Sequence, residues 1–297
     1  MKNLVFTRFG KNDLPELKLF IRRNQKFAVA LCSRFEEVEN DDGGLFSTAL
    51  KHFYVMRTKD KVLDKGRIHG FFYAKKDVLM LHLFDKNFLA KLEADEELAL
   101  QFREKIRNIL PSVYGVAGVS LATTLIAQSI GLKNPASNYY LMEFSPERPL
   151  RLCLPKDFSV KKCTLSDLPF LFELQKNYEI SDVLPAGHNF ESALCRKNLQ
   201  NALSLDMLFA ISHNGQFVAK ANVNASSEDC CQIGGVCTLD NFRRRGLATF
   251  LTNEIASRAS SMGKSVVLFV RQDNFPAIHA YENAGFKQFS ELQVIYR

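Results

Sequence analysis

The spacing of apolar positions predicts a chain that alternates between short strands and longer helical stripes. Residues 12–24 open with a cap candidate and Pro15 in the first turn, then place Leu17, Phe20 and Ile21 on one helical face. Residues 51–58 and 67–84 read as strands, with breaks at Lys65-Gly66 and at Lys75-Lys76-Asp77. A helix is expected over 87–110 with an acidic exposed stretch around 93–97, then a strand at 112–117, a helix from about Ser120 and a closing strand at 139–142. The second half repeats the scheme: a strand at 158–163, helices at 167–178 and 189–203, and a hairpin of 207–212 with 216–225 around His213-Asn214-Gly215. Residues 41–44 form a loop, and 145–155, with Pro146, Pro149 and Pro155, form a linker.

The last hundred residues carry the clearest pattern. Ile233, Val236, Thr238 and Leu239 mark a strand, residues 240–245 a basic turn, and from Gly246 a helix follows with Leu247, Phe250, Leu251, Ile255 and Ala259 at helical spacing. Gly263 stands where that helix needs a C-terminal cap. The uncharged, β-branched run 265–270 reads as a buried parallel strand, and a helix follows that has Pro276 in its first turn and stops at Gly285.

The halves are related by a constant offset of 154, from Asp13-Leu14-Pro15 to Asp167-Leu168-Pro169. The same offset lays 130–133 on 284–287, 139–142 on 293–296 and 78–85 on 232–239, which predicts a tandem duplication with domains at 1–147 and 156–297.

The start of a helix offers backbone N–H groups without intrahelical acceptors and a partial positive charge, so the turn at Arg243, Arg244, Arg245, Gly246, Leu247, Ala248 and Thr249 suits an anion. Gly246 lets backbone approach closely, and the arginines can pair with phosphate oxygens; part of the trio is expected to do so. The turn matches neither of the two best-known phosphate motifs, since the chain holds no G-x-x-x-x-G-K-[ST] and no G-x-G-x-x-G. It resembles the pyrophosphate loop [QR]-x-x-G-x-[GA] of the GNAT superfamily of N-acyltransferases, here Arg243, Gly246 and Ala248. The later N-x-x-A-x-x-x-Y-x-x-x-G-F, with Asn274, Ala277, Tyr281, Gly285 and Phe286, resembles that superfamily's second signature. The resemblance covers about 158 to 297.

That resemblance implies an α/β (α+β) chain of two tandem GNAT-like domains, each a mixed, mostly antiparallel sheet flanked by helices. It implies an acetyl-CoA (acyl-CoA) co-substrate and an amine that attacks the thioester directly. Backbone at Val236, Cys237 and Thr238 would pair with the pantetheine arm, residues 243–249 would hold the pyrophosphate, Asn274 and Ala277 would lie near the pantetheine, and Tyr281 would protonate the thiolate. The alternative is a non-catalytic acyl-CoA sensor or interaction protein. In the first half, residues 89–94 stand opposite the basic turn without glycine or arginine, and Ala127 stands opposite Tyr281, so one CoA site per chain is expected. The base that neutralises the amine stays open among Glu179, Asp182, His188, Glu228 and Asp229. An acyl-cysteine route through Cys237 needs an activating base that the sequence does not display.

Composition adds exclusions. At 297 residues, 46% hydrophobic and 24% charged, the chain can bury two ordinary cores. Seven cysteines at irregular spacing fit neither a disulfide framework nor a zinc site and point to a reducing, cytoplasmic setting without metal. The charge of +7 is spread along the chain apart from Arg243–Arg245, which argues against nucleic acid. Residues 111–132 carry no charge, but they divide into a strand and a helix and so read as buried segments, not a membrane span.

Overall fold

A computed structural model of the chain describes residues 3–40, 49–59, 66–145, 152–184 and 189–297. The loop expected at 41–44, Pro146 and Pro149 of the expected linker, and His188 lie outside them. Contacts divide the chain into two units, Met1–Leu141 with Ser290–Arg297, and Met142–Phe289.

The first unit contains β1 (Asn3–Arg8), α1 (Leu14–Asn24), α2 (Val29–Glu39), β2 (Phe53–Lys59), β3 (Arg67–Tyr73), β4 (Leu79–Phe84), α3 (Lys86–Ala94), α4 (Glu96–Ile109), β5 (Gly115–Val119), α5 (Ser120–Ile130) and most of β6 (Ser137–Phe144). Strands β1 to β4 pair antiparallel in sequence order, and β4 pairs parallel with β5. Leu292–Tyr296, near the end of the chain, pair antiparallel with β5 and lie between β5 and β6. Alternation along the strands buries residues on both faces. Phe35, Phe53 and Phe71 lie in one layer with α1 and α2, and Phe72, Phe84, Phe88 and Phe102 in the other with α3 to α5.

The second unit runs β7 (Phe158–Lys162), α6 (Leu168–Tyr178), α7 (Ser192–Ser204), β8 (Leu208–His213), β9 (Gln216–Ser226), β10 (Cys230–Thr238), α8 (Leu247–Ser261), β11 (Ser265–Arg271), α9 (Phe275–Asn283) and the start of β12 (Phe286–Tyr296). Strands β7 to β10 pair antiparallel in order and β10 pairs parallel with β11, the same plan as in the first unit. In each unit the strand pairing is therefore mixed and mostly antiparallel. Helices α1 and α6 begin alike. In each, a short 3-10 turn precedes Pro at the second position, and the aspartate before the helix (Asp13, Asp167) accepts the amide N–H three residues back, Gly10 at 2.8 Å and Thr164 at 2.9 Å.

Three expected elements are adjusted. The helix expected over 87–110 is two helices, because Asp95 leaves the helical conformation (φ −128°, ψ 99°) and its carboxylate accepts the Leu98 amide at 3.0 Å, which starts a new helix. Glu96 and Glu97 then fall in a first turn, where the helix dipole favours acidic side chains. The strand expected at 112–117 lies at Gly115–Val119, since pairing with β4 and with the last strand sets its bounds. The helix expected from 189 begins at Ser192. Among the described residues no helix is long and apolar enough to cross a membrane.

Candidate functional site

The second unit contains an opening built into its sheet. The parallel register of β10 and β11 runs only from Cys230↔Ser265 to Ile233↔Leu268, while β10 continues five residues further and β11 three. Just where the pairing ends, β10 bulges: its register against β9 shifts between Gln232 and Ile233 and again between Gly234 and Cys237. Gly235 makes the bulge possible. Its φ of +60° is strained for other residues, and a Cβ there would overlap Asn222 and approach Lys220 Nζ to 2.8 Å. Val236, Cys237 and Thr238 line the parted stretch of β10, half-buried, and Thr238 Oγ1 is buried with no hydrogen-bond partner among the described residues.

At the end of β10 the chain enters the basic turn. Arg244 (φ +60°) and Gly246 (φ +75°) both adopt left-handed backbone, and Gly246 is the N-cap of α8, which has no side-chain cap. The first helical bond runs from Phe250 N–H to the Gly246 carbonyl at 2.9 Å, so the amides of Leu247, Ala248 and Thr249 precede any intrahelical donor position. A Cβ on Gly246 would meet nothing within 4 Å, so the space above this helix end is open. The arginines are exposed and unequal. Arg243 pairs with Asp240 at 2.9 Å, Arg245 lies over the Phe242 ring and donates to the Asn241 carbonyl, and Arg244 has no partner among the described residues. The turn thus combines two left-handed residues, uncapped amides and exposed positive charge, the components of an anion nest.

The remaining groups converge from α6 and α9. Helix α6 ends in a single π-type turn, Glu179–Val183, which carries Asp182 to the N-terminus of α9. There Asn274 Oδ1 caps the helix by accepting the Ala277 amide at 3.2 Å, and Asn274 Nδ2 donates to Asp182 Oδ1 at 3.5 Å. Tyr281, two turns into α9, is half-buried and packs against Phe286 with ring centroids 6.5 Å apart. Burial, with Tyr178 and Asp182 close by, raises its phenol pKa above the ordinary value, so it stays protonated at neutral pH.

Beneath the bulge lies a group that sequence reading missed. Lys220, in the middle of β9, is fully buried, and its ammonium donates to the Gly235 carbonyl at 2.8 Å and to Asn222 Oδ1 at 3.2 Å. It stands 5.3 Å from the centroid of the Tyr178 ring. Burial lowers its pKa to about 8, opposed by Cys237, Glu179 and two further thiols. Glu179 is buried beside it and accepts Gln175 Nε2 at 2.8 Å and Asn198 Nδ2 at 3.0 Å. Burial raises the Cys237 thiol, with Lys220 pulling the other way, so a thiolate is disfavoured there. The signal for Lys220 in the sequence was a lone charge inside an apolar strand, Phe217 to Val223.

The open question of a base narrows by position. Glu179 and Asp182 lie in the π-type turn beside these groups, whereas Glu228 and Asp229 precede β10 at the end where it is still paired with β11. Among the described residues no cluster of three or more His, Cys, Asp or Glu side chains could hold a metal ion.

The first unit has the same plan with the opening filled. Its parallel register covers Leu79↔Gly115 to Leu81↔Ala117, and the next residue of β4, His82, lays its ring over Gly118, where a Cβ would overlap it. His82 Nε2 lies 2.8 Å from Thr123 Oγ1 on α5. After β4 there is no glycine turn: Asp85 caps α3, its Oδ1 accepting the amides of Asn87 at 2.8 Å and Phe88 at 3.1 Å, so a carboxylate already occupies the place of an external anion.

A family model described as "FR47-like protein" matches residues 218–294, the stretch that holds β10, the basic turn and α9. No curated protein matches the chain by sequence. Among solved structures, an acetyltransferase from the GNAT family of Colwellia psychrerythraea aligns over 99% of this chain and 100% of its own at a TM-score of 0.56 and 13% identity. A GCN5-related N-acetyltransferase from Sphaerobacter thermophilus aligns over 99% and 95% at 0.58 and 12%. A tandem GNAT protein from the clavulanic acid biosynthesis pathway aligns over 99% and 98% at 0.53 and 12%. The family-model match, these likenesses along the whole chain and the topology repeated within each unit together give this chain the fold of the GNAT superfamily.

Proposed function

We propose that the chain is an acyl-CoA-dependent N-acyltransferase whose second sequence repeat, residues 156–297, carries the reaction, and whose first repeat, residues 1–147, is a degenerate copy. The observation that carries this reading is the parting of β10 from β11 beside an uncapped, glycine-turned helix N-terminus. An extended, polar arm ending in a pyrophosphate fits that combination: strand-like backbone for the arm, helix amides for the charge. In this reading Val236, Cys237 and Thr238 pair with the pantetheine arm, and the amides of Leu247, Ala248 and Thr249 take the pyrophosphate over Gly246. Arg244, which has no competing partner, is the arginine best placed to join them, followed by Arg243 and Arg245. Asn274 and Ala277 flank the arm from the start of α9.

The acyl-CoA, acetyl-CoA in the simplest case, supplies a thioester as acyl donor. The protein's own part is to hold it, exclude water and manage two protons. Tyr281, kept protonated by its surroundings, is the acid that protonates the departing thiolate. Glu179 or Asp182, both in the π-type turn, is the group that takes the amine's proton directly or through water. The neighbours' names support an acyl donor and an amine acceptor in general terms.

Calorimetry with CoA and acetyl-CoA tests the binding step, and transfer to a panel of small amines and exposed amino groups tests the chemistry. One site per chain and acylation of at least one amine are expected. Two sites, or no binding at millimolar CoA, would refute the assignment, and tight binding without transfer to any amine would replace the enzyme with an acyl-CoA sensor.

A further inference from the structure

A fully buried lysine that forms no ion pair among the described residues needs an explanation, and Lys220 has a specific position. It is the residue on β9 whose ammonium reaches the carbonyl at the apex of the β10 bulge. We propose that Lys220 is a positioning residue for acyl transfer: by binding the Gly235 carbonyl it polarises the Gly235–Val236 peptide and strengthens the Val236 N–H as the donor to the acyl carbonyl oxygen. The inference rests on reading the unit as an acyltransferase.

The geometry follows from the peptide group. No cis bond occurs among the described residues, so the Gly235 carbonyl and the Val236 N–H are opposite ends of one planar trans unit and point in opposite directions. The carbonyl is taken from the β9 side by Lys220, which aims the N–H away from β9, toward the side where the pairing of β10 with β11 has ended. A charge-assisted bond to a carbonyl draws electron density toward the oxygen and makes the attached N–H a better donor. Acyl transfer forms a C–N bond and breaks a C–S bond at one carbon, and in between electron density gathers on the carbonyl oxygen. A donor fixed in advance at that oxygen favours the transition state over the ground state.

The surroundings keep Lys220 in this role. Asn222 Oδ1 takes a second proton of the ammonium, and the Tyr178 ring covers it. The titratable groups facing it are Cys237 on β10, Glu179 on the turn after α6, Cys195 on α7 and Cys163 after β7. The lowered pKa places loss of its charge within a measurable range, so polarisation should fade as pH rises through about 8.

The test compares wild type with Lys220→Met and Lys220→Arg in the full chain, with two readouts. The first is the Val236 amide proton shift in valine-labelled protein without ligand, followed through a pH titration. The second is kcat and KM for acetyl-CoA with an accepted amine. The proposal expects the Val236 proton to move upfield as wild type is titrated above about pH 8, and to start upfield in Lys220→Met. It also expects Lys220→Met to lower kcat by about tenfold or more with KM for acetyl-CoA little changed, and Lys220→Arg to recover part of the loss. An unmoved Val236 proton, or a folded Lys220→Met with wild-type kcat, overturns it. If Lys220→Met does not fold, Lys220→Arg takes its place in both readouts, and an unmoved Val236 proton in the wild-type titration, or a wild-type kcat in Lys220→Arg with the Val236 proton shifted, overturns the proposal. If Val236 responds but the wild type transfers no acyl group, the polarised donor stands and the acyltransferase reading falls.

Discussion

In the proposed reaction the Tyr281 hydroxyl is the group whose loss would turn an enzyme into a binding protein. Tyr281 packs its ring against Phe286, and its hydroxyl lies in a polar corner with Tyr178 and Asp182. Replacing it with Phe keeps the ring and its packing, so CoA affinity and thermal stability should be nearly unchanged. Acyl transfer should fall about 10²- to 10⁴-fold, the usual loss for a positioned acid. Equal rates for Tyr281→Phe and wild type across the pH range would remove Tyr281 from the acid role. Such a result would hand protonation to water.

Among elements, the N-terminus of α8 and the end of β4 show opposite fates of one design. At α8, Gly246→Asp should preserve the fold, because aspartate tolerates left-handed backbone better than most residues, is a good N-cap and would meet nothing within 4 Å. It should abolish CoA binding, since the carboxylate places negative charge and a competing acceptor at the proposed pyrophosphate site. Retained CoA affinity in calorimetry would move the pyrophosphate elsewhere. At β4, burial lowers the His82 pKa from 6.5 to about 3, so the folded first unit holds a neutral ring. Thr123 Oγ1 donates to the Val119 carbonyl and so accepts from His82 Nε2, which leaves Nδ1 buried without an acceptor for an added proton. Between those two pKa values the unfolded state binds the extra proton, so stability is full above pH 6.5 and is lost as pH falls toward 3. Hydrogen exchange of β4 and β5 amides should report a loss of about 2–3 kcal/mol between pH 7 and roughly 4.5 from this group. A His82→Leu variant should lack that increment, and equal acid sensitivity in the variant would assign it to other groups.

For the whole molecule, the last eight residues, Ser290–Arg297, matter more than their place at the chain end suggests, because they belong to the first unit. Leu292–Tyr296 form the second ladder of β5, opposite β4, Gln293 accepts from Thr124, and the Arg297 amide donates to the Tyr114 carbonyl at 2.9 Å. Val294 and Ile295 are buried there. Deleting residues 290–297 should therefore destabilise the first unit by on the order of 3–6 kcal/mol, from two buried side chains and an unpaired strand edge. Amide protection in β4 and β5 is the measurement, and unaltered protection in the truncated chain would contradict the role given to this segment.

What the sequence determined by itself was local or repeated. The 3.6-residue stripe of α8, the β-branched run of β11, the turn at Asn214-Gly215 and the Asp-Leu-Pro helix starts at Asp13 and Asp167 each express a preference of a few neighbouring residues, and the constant offset between halves needed only comparison of the chain with itself. The helix N-terminus at Gly246 was legible for the same reason, since a glycine and three arginines carry their chemistry wherever they fold. Tertiary structure decided what depends on partners far along the chain. Asp95 divides one long helical stripe by capping, a choice that the stripe alone left open. Lys220 looked like an ordinary lysine until β9, β10 and Tyr178 enclosed it and gave it the Gly235 carbonyl. The pairing of Leu292–Tyr296 with β5 could not be read from those residues, because an apolar strand specifies that it will pair but not with which partner; that choice is made by the register of β5, far away in the chain.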